Sequence, residues 1–361
     1  MRVASYNLLH GVPLRDRVGS NRSEDKPSVA TVGYPGAPSG MEAGVGELDL
    51  TEAASPHAAL GDVPPADPND PERTAASAAN NGLSPSDRHL WSPEVSDPAD
   101  LLRSVEELLE SGPIDVIALQ EVDRWQPRTS GVDQAGLIAE MIGAKYWRFV
   151  SSVRGTPGIA AEGAAWVPAT SADDLPTDEG EPESPVPSGP RYGVALISRY
   201  PVRGWRVKRF PPAPVSMPLL APTEDGRPKA IRVPDEPRSA VAGIVELPHT
   251  DLTFATAHLS FVPGVNTKQL NNLRAFVAGM PRPMVLMGDF NTPGGIPGLV
   301  TGWEQVARVP TYPVMRPRVQ FDHIMADGWT DEAMDEARAS ARAVPLPVSD
   351  HCALIADFPE P

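Results

Sequence analysis

Met284-Val285-Leu286-Met287-Gly288-Asp289-Phe290-Asn291 is the stretch that decides how this chain folds. Its first four residues form a short apolar run of the kind that fills a buried strand. The run stops on Gly288-Asp289-Phe290-Asn291, so polar groups stand at its carboxyl end. The form recurs along the chain. Residues 2–9 read as a strand that ends near Asn7, and Ile114-Asp115-Val116-Ile117-Ala118-Leu119 as a buried strand that ends at Gln120-Glu121. His258 lies at the end of a strand over 252–260. Asp322-His323 opens one over 321–326, and Ser349-Asp350-His351 precedes the last, over 353–358. Taken singly, an Asp or Asn after a strand is a turn former. Taken together, polar groups on rigid strand ends can converge and hold ligands in a fixed geometry.

The remaining pattern sets the architecture. Residues 97–111 form a helix: Asp97 caps it, Pro98 suits its first turn and Gly112-Pro113 stops it. Its Leu101, Leu102, Val105, Leu108 and Leu109 make one apolar stripe. Further helices are expected over 133–143 and 266–279, and further strands over 146–153, 193–198, 203–210 and 239–247. A strand-rich chain with helices between consecutive strands points to an α+β fold, two sheets packed face to face with helices outside.

Of the 361 residues, 41% are hydrophobic, and 43 Pro with 30 Gly punctuate the chain heavily. This excludes a collagen, a coiled coil and a helical bundle. No apolar run is long enough for a membrane-spanning helix. Cys352 is the only cysteine, which excludes an internal disulfide and a cysteine-based zinc site. The start, Met1-Arg2-Val3-Ala4-Ser5-Tyr6-Asn7, has no basic and apolar leader pattern, and a cytoplasmic protein is expected.

The net charge of -16 argues against a protein that coats nucleic acid. Residues 19–98 hold thirteen acidic and four basic side chains, and residues 155–188 seven acidic and none basic. These two segments account for the whole excess, so the rest of the chain is neutral. Both read as acidic, Pro-rich insertions, 19–98 and 155–190, in a single domain over 1–361. Residues 19–90 contain no Ile, Phe or Trp, too little apolar surface to offset the entropy of ordering them, so disorder is expected.

Asn, Glu and Asp are hard oxygen donors that suit Mg²⁺, or Mn²⁺, better than zinc. Histidines then stay free for proton transfer and for stabilising anionic charge. A hard cation with a histidine and a carboxylate behind it is equipment for attacking a phosphate ester.

These motifs resemble the endonuclease/exonuclease/phosphatase family, Mg²⁺-dependent phosphoesterases related to abasic-site endonucleases and neutral sphingomyelinases. The matching blocks are Ser5-Tyr6-Asn7-Leu8, Ala118-Leu119-Gln120-Glu121-Val122, Arg191-Tyr192-Gly193-Val194-Ala195-Leu196-Ile197-Ser198, Thr256-Ala257-His258-Leu259, Met287-Gly288-Asp289-Phe290-Asn291, Phe321-Asp322-His323-Ile324 and Ser349-Asp350-His351. They run in the family's order through the neutral part of the chain. The resemblance implies a four-layer αββα sandwich, two packed mixed sheets flanked by helices, with the site at one rim. It implies Asn7, Glu121 and Asp350 as metal ligands and His351 as general base or phosphate contact, oriented by Asp322. Asp289 would position or deprotonate the attacking water, Asn291 would hold the nucleophile or a phosphate oxygen, and His258 would donate to the developing charge. Whether Asp289 or His351 takes the proton stays open.

Tyr192, in a matching block, and Arg238, at the start of its strand, are candidate phosphate contacts. For Arg238 and Arg124 a simple salt bridge is an equal alternative. Leu9 stands where abasic-site nucleases often carry an Asp, which weakens a repair reading. The residues after Asn291, Thr292-Pro293, depart from the 5-phosphatase pattern. The expected activity is Mg²⁺-dependent hydrolysis of a phosphodiester or phosphomonoester, on a small phosphorylated substrate or on nucleic acid. The alternatives are a DNA endo- or exonuclease and a non-catalytic binding module on the same fold.

Overall fold

The computed structural model describes residues 1–9, 96–157, 166–173, 189–221 and 229–360. Most of the first acidic segment (19–95), and residues 158–165 and 174–188 of the second, lie outside the described residues.

One sheet contains β1 (Arg2–Asn7), β2 (Val116–Arg124), β3 (Tyr146–Gly155), β4 (Trp166–Pro168), β5 (Arg191–Ser198), β14 (Arg342–Val344) and β15 (Ala353–Asp357), in the order β14-β15-β1-β2-β5-β3-β4. The other contains β6 (Val202–Phe210), β9 (Arg238–Glu246), β10 (Asp251–His258), β11 (Met284–Asp289), β12 (Glu304–Gln305) and β13 (Asp322–Asp327), in the order β12-β13-β11-β10-β9-β6. A separate hairpin pairs β7 (Ser216–Ala221) with β8 (Lys229–Pro234). The helices are α1 (Pro98–Glu110), α2 (Gln134–Met141), α3 (Val265–Val277), α4 (Ile296–Thr301) and α5 (Asp331–Ser340).

Strand alternation sorts the side chains into layers. Val3, Val116, Ala118, Val194 and Leu196 point inward and meet Val241, Phe254, Val285, Met287 and Ile324 of the opposite sheet. Ala4, Tyr6, Ile117, Leu119, Ala195 and Ile197 point outward, under Leu101, Val105 and Leu108 of α1 and Ala135 and Ile138 of α2. On the far side Ala240, Ala255, Ala257 and Leu286 lie beneath Leu270, Leu273 and Val277 of α3. The result is helix, sheet, sheet, helix, the expected four-layer α+β sandwich. In each sheet one parallel pair, β1–β2 and β10–β11, is joined through a crossover helix, α1 and α3 respectively.

α1 starts as its sequence requires: the Asp97 carboxylate accepts from Ala99 N at 2.9 Å and proline occupies the first turn. Three features depart from expectation. β2 does not end at Glu121 but continues to Arg124, through a bulge between Leu119 and Val122 where Glu121 takes φ +55°. Part of the second acidic segment is built in. Trp166–Pro168 pairs with Val153–Gly155, and buried Asp173 faces Arg191 at 3.5 Å, because Trp166 and Val167 supply apolar surface and Asp173 meets a buried cation. The β7–β8 hairpin, β12, β14, α4 and α5 were not expected. The strands among them are short or interrupted by Pro218, while α5 is capped by Thr330, whose side chain accepts from Ala333 N.

Candidate active site at one rim of the sandwich

The parallel pairs β1–β2 and β10–β11 place their carboxyl ends at one rim, and the antiparallel strands β5, β9, β13 and β15 begin there. Register makes the placement explicit: His258 lies opposite Asp289 and Ser239, and Asp289 opposite Asp322. Asn7 closes β1, Tyr192 is the second residue of β5, Arg238 opens β9, and Asp350-His351 lead into β15. Every residue expected in the site therefore stands on this rim.

Asp289 is the hub. Its Oδ2 accepts from Asn7 Nδ2 at 3.0 Å and lies 3.9 Å from His258 Nε2 and 4.0 Å from His351 Nε2. Its Oδ1 accepts from the Asn291 backbone N–H at 2.9 Å, a local turn that fixes the carboxylate after the strand. Gly288 makes this possible: at φ +148° a Cβ would lie 2.0 Å from Ala257 O, so only glycine lets β10 approach. Asn7 Nδ2 also reaches Glu121 Oε1 at 3.2 Å, and Glu121 Oε1 is 4.0 Å from His258 Nε2. Asn291 holds Leu259 O through Nδ2 at 2.9 Å and lies 3.3 Å from His258 Nε2.

His351 and Asp322 form the expected pair, Nδ1 to Oδ2 at 2.8 Å. Thr311 Oγ1 donates to the same Asp322 oxygen at 2.5 Å, and the Tyr312 ring packs on the imidazole with centroids 4.9 Å apart. The loop is also strapped to the base of β15, Val314 N to Asp350 O and Cys352 N to Thr311 O. Nothing in the sequence motifs pointed to Thr311 and Tyr312, which lie eleven and ten residues before Asp322.

Burial and like charge set the titration of the site. Burial, then the charges of Asp350 and Glu236, push the Glu121 carboxyl up to about 7, against the hydrogen bond from Asn7. Burial, then Asp322, pushes Asp289 up to about 6. For His351, burial opposes protonation, but Asp322, Asp289 and Asp350 outweigh it and hold the imidazole well above its usual range. Asp350 carries a buried Oδ1 with no hydrogen-bond partner among the described residues.

These observations test whether a cation fits. Two carboxyls whose ionisation is disfavoured by burial and then by like charge, and the orphaned buried oxygens of Asp322 and Asp350, are the condition a hard divalent ion relieves. Asp289, Asp322 and His351 also bring ligand atoms within 4.8 Å of one another. In that trio Asp322 Oδ2 is engaged by His351 and Thr311, while its Oδ1 is buried without a hydrogen-bond partner among the described residues. This buried Asp289, Asp322 and His351 group could hold a metal ion, and Asn7 and Glu121 stand beside it, Asn7 bonded to both Glu121 and Asp289.

The candidate substrate contacts sit at the edge of this cluster. Arg238 Nη1 lies 3.0 Å from both ring nitrogens of His258, while its guanidinium pairs with Glu236 at 3.3 Å and Asp235 at 3.5 Å. Arg238 is thus ion-paired, as one reading expected, and it also touches His258. Tyr192 is buried, shares a hydrogen bond with Glu236, and its hydroxyl is held well above its usual range by burial and by Glu121 and Glu236. Asp235 and Glu236 were missed by the sequence reading; their position three and two residues before Arg238 was the available signal. Arg124 resolves as structural, pairing with Asp133 at 2.8 Å over Trp125. His323 is structural too. It stacks on Phe290 and lies 2.9 Å from Thr292 O, and burial lowers it to about 4. Cys352 is buried, its thiol pushed up to about 11 by desolvation, an inert position.

Among solved structures, this chain is similar to an endonuclease/exonuclease/phosphatase from Beutenbergia cavernae, with 19% identity over 70% of this chain and a TM-score of 0.40. It spans 65% of that protein's length, less than two thirds. It is also similar to a mannosyl-6-phosphatase from Bacteroides thetaiotaomicron (11% identity, 72% of this chain and 91% of that one, TM-score 0.41). Sphingomyelinase C from Streptomyces griseocarneus is a third such structure (13% identity, 72% and 92%, TM-score 0.42). No curated protein matches the chain. The model of the endonuclease/exonuclease/phosphatase family matches residues 80–351. Asn7 precedes that span, and the fold returns it to the site beside Glu121 and Asp289. With well over half of its length matched, the chain belongs to the endonuclease/exonuclease/phosphatase family.

Proposed function

We propose that the chain is a divalent-metal-dependent phosphoesterase that hydrolyses a phosphodiester or phosphomonoester by in-line attack of water. One observation carries the reading: Asp289 stands between two histidines, at 3.9 and 4.0 Å, while bonded to the Asn7 that also reaches Glu121. Asn7, Glu121 and Asp350 would hold the cation, Mg²⁺ or Mn²⁺, which when bound neutralises phosphate oxygens.

The protonation states divide the labour. His351, held as imidazolium by Asp322 and Asp289, is a donor to a phosphate oxygen and a poor base at neutral pH. Asp289, raised to about 6, keeps useful basicity near neutrality, and we assign it the proton of the attacking water. Asn291, through its backbone N–H, orients that carboxylate. His258 and Arg238, in contact with each other, offer donors to the charge that develops on the phosphoryl group. Asp322, fixed by Thr311, keeps the His351 ring in register.

The test is hydrolysis of bis-p-nitrophenyl phosphate with Mg²⁺. Asp289→Asn should lower the rate by about 10² or more, the usual cost of losing a proton-transfer group. Undiminished turnover by the purified, folded variant defeats the assignment. Inclusion of p-nitrophenyl phosphate, supercoiled DNA and single-stranded DNA in the same panel separates phosphodiesterase, phosphatase and nuclease. A steep loss of DNA cleavage with salt would indicate contacts along a polynucleotide.

A further inference from the structure

The wall around Arg238 carries information about what lies next to the phosphate. Both guanidinium groups near Tyr192 are already paired. Arg128 makes a two-pronged bond to Asp123, at 2.7 Å in each arm, and its guanidinium lies 5.8 Å from the Tyr192 ring. Arg238 is bracketed by Glu236 and Asp235, so one positive charge faces two negative ones. Neither arginine offers net attraction to a string of phosphates. Arg238 itself is almost fully buried, with Nε lacking a partner among the described residues.

The two carboxylates of the bracket differ. Asp235 is enclosed and committed: Oδ2 accepts from Ala213 N and Ser260 Oγ, each at 2.7 Å, and Oδ1 faces Arg238. Glu236 keeps 19% of its side chain exposed and is engaged by Arg238 and the Tyr192 hydroxyl. A carboxylate has room for about four donors, so the partly exposed Glu236 retains acceptor capacity. Its partner Arg238 also touches both ring nitrogens of His258, so Glu236 stands one residue away from the candidate cluster.

We propose that Glu236 determines specificity, accepting a hydrogen bond from a hydroxyl or ammonium group carried beside the phosphate. The site thus takes a small phosphoester whose neighbouring group is a donor, not a further anion. A polynucleotide, whose neighbouring groups are more phosphates, meets Glu236 with like charge. This rests on the phosphoesterase reading of the same rim.

Calorimetry on the full-length protein in Mg²⁺ tests it, with phosphocholine, glycerol 1-phosphate, inorganic phosphate and thymidine 3′,5′-bisphosphate as probes. Phosphocholine or glycerol 1-phosphate should bind about tenfold or more tighter than inorganic phosphate and the bisphosphate, as a charge-assisted hydrogen bond provides. Which of the two wins tells an ammonium donor from a hydroxyl donor. Glu236→Gln should abolish the advantage, and Glu236→Asp should retain part of it. Equal or tighter binding of the bisphosphate, an advantage that survives in folded Glu236→Gln, or binding of no probe overturns the proposal. If Glu236→Gln does not fold, the wild-type ranking and Glu236→Asp decide. Hydrolysis of bis-p-nitrophenyl phosphate by the same preparation keeps the two ideas apart. Turnover without the ranking refutes the role of Glu236, and the ranking without turnover refutes the catalytic reading.

Discussion

Replacing Glu121 by Gln should stabilise the protein in the absence of divalent ions, although Glu121 belongs to the proposed metal set. Its carboxyl titrates near 4.5 when unfolded and at about 7 in the folded chain, because burial and the charges of Asp350 and Glu236 disfavour ionisation. A raised folded value means that stability is lost as pH rises from 4.5 through 7. With 2.303RT per pH unit, the loss from Glu121 amounts to about 3 kcal/mol at pH 8 and about 1 kcal/mol or less at pH 5. With 16% of the side chain exposed, solvent screening reduces this to about 2–3 kcal/mol at pH 8. Glutamine removes the charge and keeps an oxygen for Asn7 Nδ2. In EDTA at pH 8 the variant should therefore melt about 4–10 °C above the wild type, by the usual conversion for a domain of this size. At pH 5 the gap should shrink to a third or less. Excess Mg²⁺ should narrow the gap at pH 8, since an ion that binds the folded wild type stabilises it by mass action. Urea or thermal unfolding followed by circular dichroism measures all three conditions. A variant no more stable than wild type at pH 8 in EDTA, or equally stabilised at both pH values, refutes the reasoning.

Four further outcomes are expected. His351→Ala should lower Mg²⁺-dependent hydrolysis by about 10² or more in steady-state assays while leaving the fold intact by circular dichroism. Asp322→Asn should cost about tenfold or more in kcat with little change in KM, because it disturbs the orientation and charge of His351 and not substrate contacts. Gly288→Ala should give insoluble or strongly destabilised protein, by about 3 kcal/mol or more in urea unfolding, since its Cβ would meet Ala257 O at 2.0 Å. His323, lowered to about 4 in the fold, should make stability fall as pH drops from about 6.5 to 4, by up to about 3 kcal/mol. His323→Gln should flatten that slope in pH-dependent unfolding.

Much of this site was legible because strands deliver chemistry at their ends. Short buried runs such as Met284–Met287 read as strands, and the polar residue at one end of each marks the rim. Asn7, His258, Asp289, Asp322 and His351 were found this way. Glu121 was expected at the end of a strand. Its strand does not stop there but bulges, and a bulge depends on how β2 pairs with β5, which no local pattern reveals. Thr311 and Tyr312 act through a loop whose course is set by its contacts with Asp322 and the base of β15, so their sequence neighbourhood carries no signal. Asp235 and Glu236 sit in plain view before Arg238, yet an Asp-Glu pair ahead of a strand reads as a solvated turn. Only their contacts with Tyr192, Ser260 and Arg238 show otherwise. The short edge strands β4, β12 and β14 are stabilised by pairing with longer neighbours rather than by their own composition.

The central claim is that residues scattered along the chain hold one divalent cation at this rim. Anomalous diffraction from a crystal soaked in Mn²⁺ tests it most directly. The expected result is a peak within coordination distance of the Glu121 and Asp350 carboxylates and the Asn7 side chain, absent in Glu121→Ala. No peak at the rim, or a peak elsewhere while Mn²⁺ supports turnover, would contradict it.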